Sequence, residues 1–278
     1  MSNNINGNIQ DICIQKTSFK GSSSHPFHQL TPDFILNALD ELGYITDSRL
    51  LPLNSYENRV YQIGIQDSSP IIGKFYRPDR WNKKQILEEH QFCFELVEQE
   101  LPIVAPLISE GGESLFQYKG FHFALFPRKG GYGPELDNLD NLYLLGKLLG
   151  RIHAVGAIRP FSHRNTLNSN TFGYESSKFV SENFIPTELK LSYDSLVKDL
   201  MKTIDEVVSN AGDIQNIRVH GDCHSGNILW RDDNAHFVDL DDAMMAPAIQ
   251  DIWMLLSGNR DRQNAQLSEI IDGYNEFF

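Results

Sequence analysis

The 278-residue chain has only three cysteines, Cys13, Cys93 and Cys223, scattered and odd in number. A disulfide framework is therefore not expected, and a reducing compartment is. It also lacks an apolar run long enough to cross a bilayer. Its first residues, rich in Asn, Gln, Ser and Gly, do not have the basic-then-apolar order of a secretory leader, so a cytoplasmic location is expected. Positive charge is scarce as well: 24 Lys and Arg stand against 37 Asp and Glu, a formal net charge of -13. That balance argues against nucleic acid as the main partner, because phosphate backbones require a basic surface. What remains is ordinary globular composition, with 41% hydrophobic residues and ample length for one large domain or two lobes.

The densest chemistry lies near the C-terminal end. His220-Gly221-Asp222-Cys223-His224-Ser225-Gly226-Asn227 runs into Ile228-Leu229-Trp230, then a polar turn at Arg231 to Asn234, then Phe237-Val238-Asp239. Two short strands joined by that turn make a hairpin with Asp222 and Asn227 at its entrance and Asp239 at its exit. Three oxygen ligands brought to one spot suit Mg²⁺, which takes few protein oxygens and leaves room for water and phosphate. In the kinase template one Asp accepts the proton of the attacking hydroxyl, while an Asn and a second Asp hold the metal. A zinc site built from His220, Asp222, Cys223 and His224 is the competing reading, disfavoured because no second Cys/His pair lies nearby. A purely structural hairpin is disfavoured by Gly221 and Gly226, which suggest a backbone bent for close approach of a ligand.

Residues 1–29 read as a poorly ordered extension whose hydroxyls (Thr17, Ser18, Ser22, Ser23, Ser24) are possible phosphate acceptors, with an inert tail favoured. Thr31-Pro32-Asp33 announces a helix ending at Gly43. Strands are expected at Leu51–Leu53, Val60–Ile65, Ile71–Tyr76, Val104–Ile108 and Phe121–Phe126, with one helix from Trp81 to Glu100. Together these form an α+β lobe over residues 30–126. Lys74 sits inside an apolar strand, where an amine is unusual unless it meets an anion. Glu88 or Glu89 on the next helix can pair with it. The turn Asn54 to Asn58 lies where a phosphate-covering loop belongs, and Phe126 offers a face for adenine. Residues 127–134, rich in Gly and Pro, read as a hinge.

Residues 135–278 read as a mostly helical lobe. Helices are expected at Leu136–Ile158, Ser192–Ser209 and Ala248–Leu256. Gly146 and Gly150 would let another element approach the first of these closely. His153 and Arg151 either orient the catalytic segment or fill a core position. Asp251 either complements its helix dipole or reaches back to the catalytic loop.

These motifs resemble the aminoglycoside-phosphotransferase-like branch of the protein-kinase-like fold. The matching blocks are Pro52 to Gln62, Lys74 to Pro78, Ile86 to Phe92, His220 to Asn227, Val238 to Asp242 and Pro247 to Leu256. In those blocks the chain is most similar to the bacterial stress response kinase A family. The resemblance covers residue 30 to the end and implies a cytoplasmic, monomeric, ATP- and Mg²⁺-dependent serine/threonine kinase that acts on protein substrates and autophosphorylates. It makes Asp222 the proton acceptor and Asn227 and Asp239 the Mg²⁺ ligands, with Asp239 counted as an active-site residue. Ser55 would lie against the ATP phosphates and Lys74 would pair with them. It also implies a longer C-terminus than one ending at Phe278, and a shorter N-terminal tail. A small-molecule kinase is the alternative, with Asp239, Asp241 and Asp242 receiving a cationic acceptor. A nucleotide-binding module without catalysis is another.

Overall fold

The computed structural model of the chain describes residues 26–278. The expectations for the serines and threonine of the tail, and for Cys13, lie outside them. Phe27 does not belong to a tail: it is buried in the upper core, its ring 6.2 Å from that of Phe121.

Helix α1 (Pro32–Asp40) starts where the sequence says, with the Thr31 hydroxyl accepting from Phe34 N and proline in its first turn. It packs Ile35, Ala38 and Leu39 onto a five-stranded antiparallel sheet. Its strands are β1 (Thr46–Leu53), β2 (Arg59–Ile65), β3 (Ile71–Phe75), β4 (Phe116–Tyr118) and β5 (Phe121–Pro127), in the order β1-β2-β3-β5-β4. Strand alternation then sorts β3 by face. Phe75 points into the core beneath α1, stacking on Phe123. Ile72 and Lys74 point the other way, opposite Phe126 and Ala124 on one side and Gln62 and Val60 on the other.

Helix α2 (Lys83–Glu98) begins at a capping box formed by Asn82 and Gln85. Its Phe92, Cys93 and Leu96 belong to the core of the helical lobe, so a boundary drawn along the chain at Phe126 does not follow the packing. Val104–Ile108 is no strand. Pro102 and Pro106 each lack an N–H to donate, and the segment makes a single bridge, Ile103 to Phe237.

The helical lobe is built on α3 (Leu139–Gly156). Two helices follow it, α4 (Ser176–Asn183) and α5 (Thr187–Asn210). Then come β6 (Ile217–Val219), the hairpin β7 (Ile228–Arg231) and β8 (Asn234–Phe237), and β9 (Met244–Ala246), which pairs with β6. The expected helix at Ala248–Leu256 is one α-turn, α6 (Ile249–Ile252), that tightens into a 3₁₀ turn through Leu255. The sequence reading offers nothing after Leu256, yet Arg260–Tyr274 forms α7, capped by Asn259. α7 lies on α3 where Gly146, Gly150 and Gly273 bring the backbones together, as the two α3 glycines suggested. A Cβ on Gly146 would stand 2.1 Å from the carbonyl oxygen of Ile270.

Candidate active site

The segment from His220 to Asn227 leaves β6 and enters β7, and its shape is set by hydrogen bonds to a buried carboxylate. Asp251 accepts from the backbone N–H groups of His220 and Gly221, each at 2.8 Å, and from His153 Nε2 at 3.0 Å. His153 Nδ1 in turn meets the Tyr274 hydroxyl at 2.8 Å. Burial alone would raise the pKa of Asp251. The hydrogen bond and charge of His153, together with His220 and the Gly221 N–H, outweigh it and hold the carboxyl below the usual range. Asp251 thus reaches back to the loop from His220 to Asn227, while His153 is fully buried and bears on that loop only through Asp251. Gly221 has φ +87° and packs against the carbonyl of Asp242, so its missing side chain makes room for the chain itself rather than for a ligand.

Asn227 donates through Nδ2 to the Asp222 carbonyl at 2.9 Å and to its carboxylate at 3.1 Å. His224 Nε2 stands 3.5 Å from the same carboxylate. His220 Nε2 lies 3.0 Å from the carbonyl of Val238, tying the loop to the residue before Asp239. Asp239 itself leaves β8 with a left-handed backbone, φ 60°. Cys223 points away into the helical core and is fully buried, so the zinc set imagined from the sequence does not converge.

Across the cleft Lys74 is buried, with its Nζ 2.6 Å from Asp239 and 3.2 Å from Asp241. Burial opposes its charge, but Asp239, Asp241 and Glu89 together keep its pKa well above the ordinary lysine value. The helix carboxylate beside it is Glu89, not Glu88. Glu89 is buried, its Oε2 has no hydrogen-bond partner, and burial raises its pKa to about 7 although Lys74 pulls the other way. Glu88 faces the opposite lobe, where it accepts from the backbone N–H groups of Ser162, His163 and Arg164 at 2.5, 2.8 and 3.0 Å. The expectation that Glu88 serves the nucleotide site is thereby corrected. Adjacent helical residues point about 100° apart, and only the packing of α2 decides between them.

A cavity of about 300 Å³ separates the lobes. Its walls include Lys74, Val60 and Phe126 from the sheet, and Asn227, Asp239 and Leu240 from below. Ile72 and Leu229 also line it. Ser55 is not part of this wall. Its hydroxyl donates to the carbonyl of Asn58 at 3.1 Å, closing the turn, while Asn54 lines the cavity instead.

Two residues that sequence reasoning missed hold the acidic segment after β8. Asn58, nearly fully buried, donates to Asp241 at 3.1 Å and accepts from Arg77 N. Arg80 spans the lobes, 2.6 Å from Asp242, 3.3 Å from Asp241 and 3.6 Å from Glu57. Asp241 is thus met by Lys74, Arg80, Asn58 and Trp81 Nε1, and its carboxyl stays below the usual range despite burial.

A sheet lobe over a helical lobe, with a strand lysine facing an Asp–Asn–Asp set, is the architecture of a protein-kinase-like phosphotransferase. The family model of the phosphotransferase enzyme family matches residues 49–277. The chain is 45% identical over 262 residues to stress response kinase A of Escherichia coli, spanning 92% of this chain and 77% of that protein. It is 45% identical over 251 residues to the serine/threonine protein kinase RdoA of Salmonella typhimurium, 90% and 75% of the two chains. The chain belongs to the stress response kinase A family of phosphotransferases. Solved structures share the fold at low identity. An amicoumacin kinase, hAmiN, in complex with AMP-PNP, Ca²⁺ and Ami superposes with a TM-score of 0.72 at 20% identity, over 88% of this chain and 77% of its own. A microcompartment-associated aminopropanol kinase gives 0.67 at 17%, over 88% and 81%.

Proposed function

We propose that the chain is a cytoplasmic, monomeric serine/threonine protein kinase that moves the γ-phosphoryl group of ATP to a protein hydroxyl, its own included. The observation that carries this reading is the convergence of Lys74, Asp222, Asn227 and Asp239 on one cleft. Asn227 and Asp239 fit Mg²⁺: with its amide nitrogen engaged by Asp222, Asn227 has its carbonyl oxygen left to offer, and Asp239 supplies one carboxylate. Bound there, Mg²⁺ would neutralise charge on the phosphate oxygens.

The residues of the chain do the rest. Asp222 accepts the proton of the attacking hydroxyl, its carboxylate aimed by Asn227. Lys74 stabilises the phosphates, exchanging part of its pairing with Asp239 for theirs. Phe126 holds the base. Free, buried thiols at Cys93 and Cys223 accord with a reducing compartment.

The name of the Salmonella relative favours a protein acceptor, whereas the likeness to amicoumacin and aminopropanol kinases favours a small-molecule acceptor. One observation weighs against a cationic small molecule. Asp241 and Asp242 are already paired with Lys74 and Arg80. The test is incubation with γ-labelled ATP and Mg²⁺, alone, with a generic basic protein or with an amino alcohol, alongside Asp222→Asn. Label on serine or threonine, reduced about 10²–10⁴-fold in the variant while nucleotide binding persists, is expected. Label appearing only on an amino alcohol would overturn the protein-kinase reading, and turnover retained in the variant would overturn Asp222 as base.

A further inference from the structure

A second cavity, about 520 Å³, lies outside the cleft just described, between the hinge and the β7–β8 hairpin. In a chain of net charge -13 its lining is conspicuously basic: Arg128 and Lys129 from the hinge, Arg231 and His236 from the hairpin. The one carboxylate, Asp232, is exposed at the turn and stands 3.3 Å from Arg231 Nε. Three full positive charges against one negative leave a local excess of about two, and a concave wall concentrates that field.

The walls are held in place before any ligand arrives. Tyr132 of the hinge strap and Trp230 of β7 exchange both backbone hydrogen bonds, at 3.2 and 2.7 Å. Arg231 lies across the strap, its Nη1 3.4 Å from where a Cβ on Gly130 would be. Arg128 is steadied through Nε by Gln62 at 2.9 Å, a contact that leaves its terminal nitrogens for other acceptors. Partial burial and the nearby Lys129 ammonium lower the pKa of His236, whose ring nitrogens add hydrogen-bonding groups to the wall.

We infer that this hinge cavity binds an inorganic oligophosphate, with Arg128 and Arg231 gripping it from opposite walls. Guanidinium groups suit phosphate oxygens, which they can meet through two parallel N–H donors. A nucleotide is a poorer fit than a bare oligophosphate, because among the described residues the lining carries no Phe, Tyr, Trp or large aliphatic side chain to take a base, and its one ring, His236, stands near the Lys129 ammonium. Lys129 lines both this cavity and the nucleotide cleft, so the occupant sits at the adenine end, away from the phosphate-handling Lys74.

The test is calorimetric titration of inorganic pyrophosphate into the full chain in EDTA, where the metal-dependent cleft cannot recruit it. Wild type, Lys74→Ala and the double variant Arg128→Ala/Arg231→Ala are compared. Binding is expected in wild type and in Lys74→Ala. It should weaken by roughly tenfold or more in the arginine double variant, the loss of at least one charge-assisted hydrogen bond. Affinity of the double variant for AMP-PNP with Mg²⁺ should equal that of wild type, showing the fold intact. Failure of wild type to bind pyrophosphate, or binding that survives in the double variant, would overturn the site, and so would binding lost in Lys74→Ala.

Discussion

Helices α3 and α5 are both long, amphipathic and spaced with leucines, yet one is core and the other is nearly all surface. Nine of the eighteen residues of α3 are buried. Of the twenty-four in α5 only Met201 is, while Leu189, Leu196, Leu200, Val207 and Val208 are exposed. The sequence difference is small residues. Gly146 and Gly150 let α7 lie directly on α3, whereas α5 has no glycine and packs mainly on α4 and on the π-helical turn Ser169–Glu175 before it. Apolar periodicity therefore announces a helix, and a glycine within the stripe announces its neighbour.

The sharpest way to break the α3 side is at its far end, where His153 meets Asp251. Asp251→Ala would leave two buried N–H groups and a histidine without their acceptor, an expected loss of about 3–5 kcal/mol. Urea unfolding would measure it, and near-native stability would refute the role assigned to Asp251. Gly146→Ala forces α7 off α3, an expected loss of about 1–3 kcal/mol. An unchanged melting temperature would mean that the two backbones are not in contact. On the other helix Leu196→Gln should move stability by no more than about 0.5 kcal/mol. A larger loss would show that the exposed face of α5 is covered in solution.

The same contrast explains what was legible in advance. His220 to Asn227 and Asp239 could be read because the chemistry is local: ligand residue types crowd into one hairpin whose ends must meet. Lys74 could be read because a charge in an apolar strand is costly unless partnered. Asn58 and Arg80 could not, since their partners Asp241 and Asp242 are 183 and 162 residues away and each is an unremarkable polar residue in a loop. The choice between Glu88 and Glu89 depended on which side of α2 faces which lobe, a matter of tertiary packing. α7 was missed because its apolar positions are few: Ile270 and Tyr274 are buried among many polar neighbours.

The attachment of α2 has a mechanical corollary. Glu88 caps three backbone N–H groups of the helical lobe, Glu95 meets Arg218 at 2.8 Å, Gln85 donates to the carbonyl of His163, and Arg151 holds the helix's end through Gln99. Although it is threaded between two strands of the sheet, the helix is riveted to the part below. Lys74, carried by the sheet, and Glu89, carried by this helix, therefore meet across the seam between the lobes.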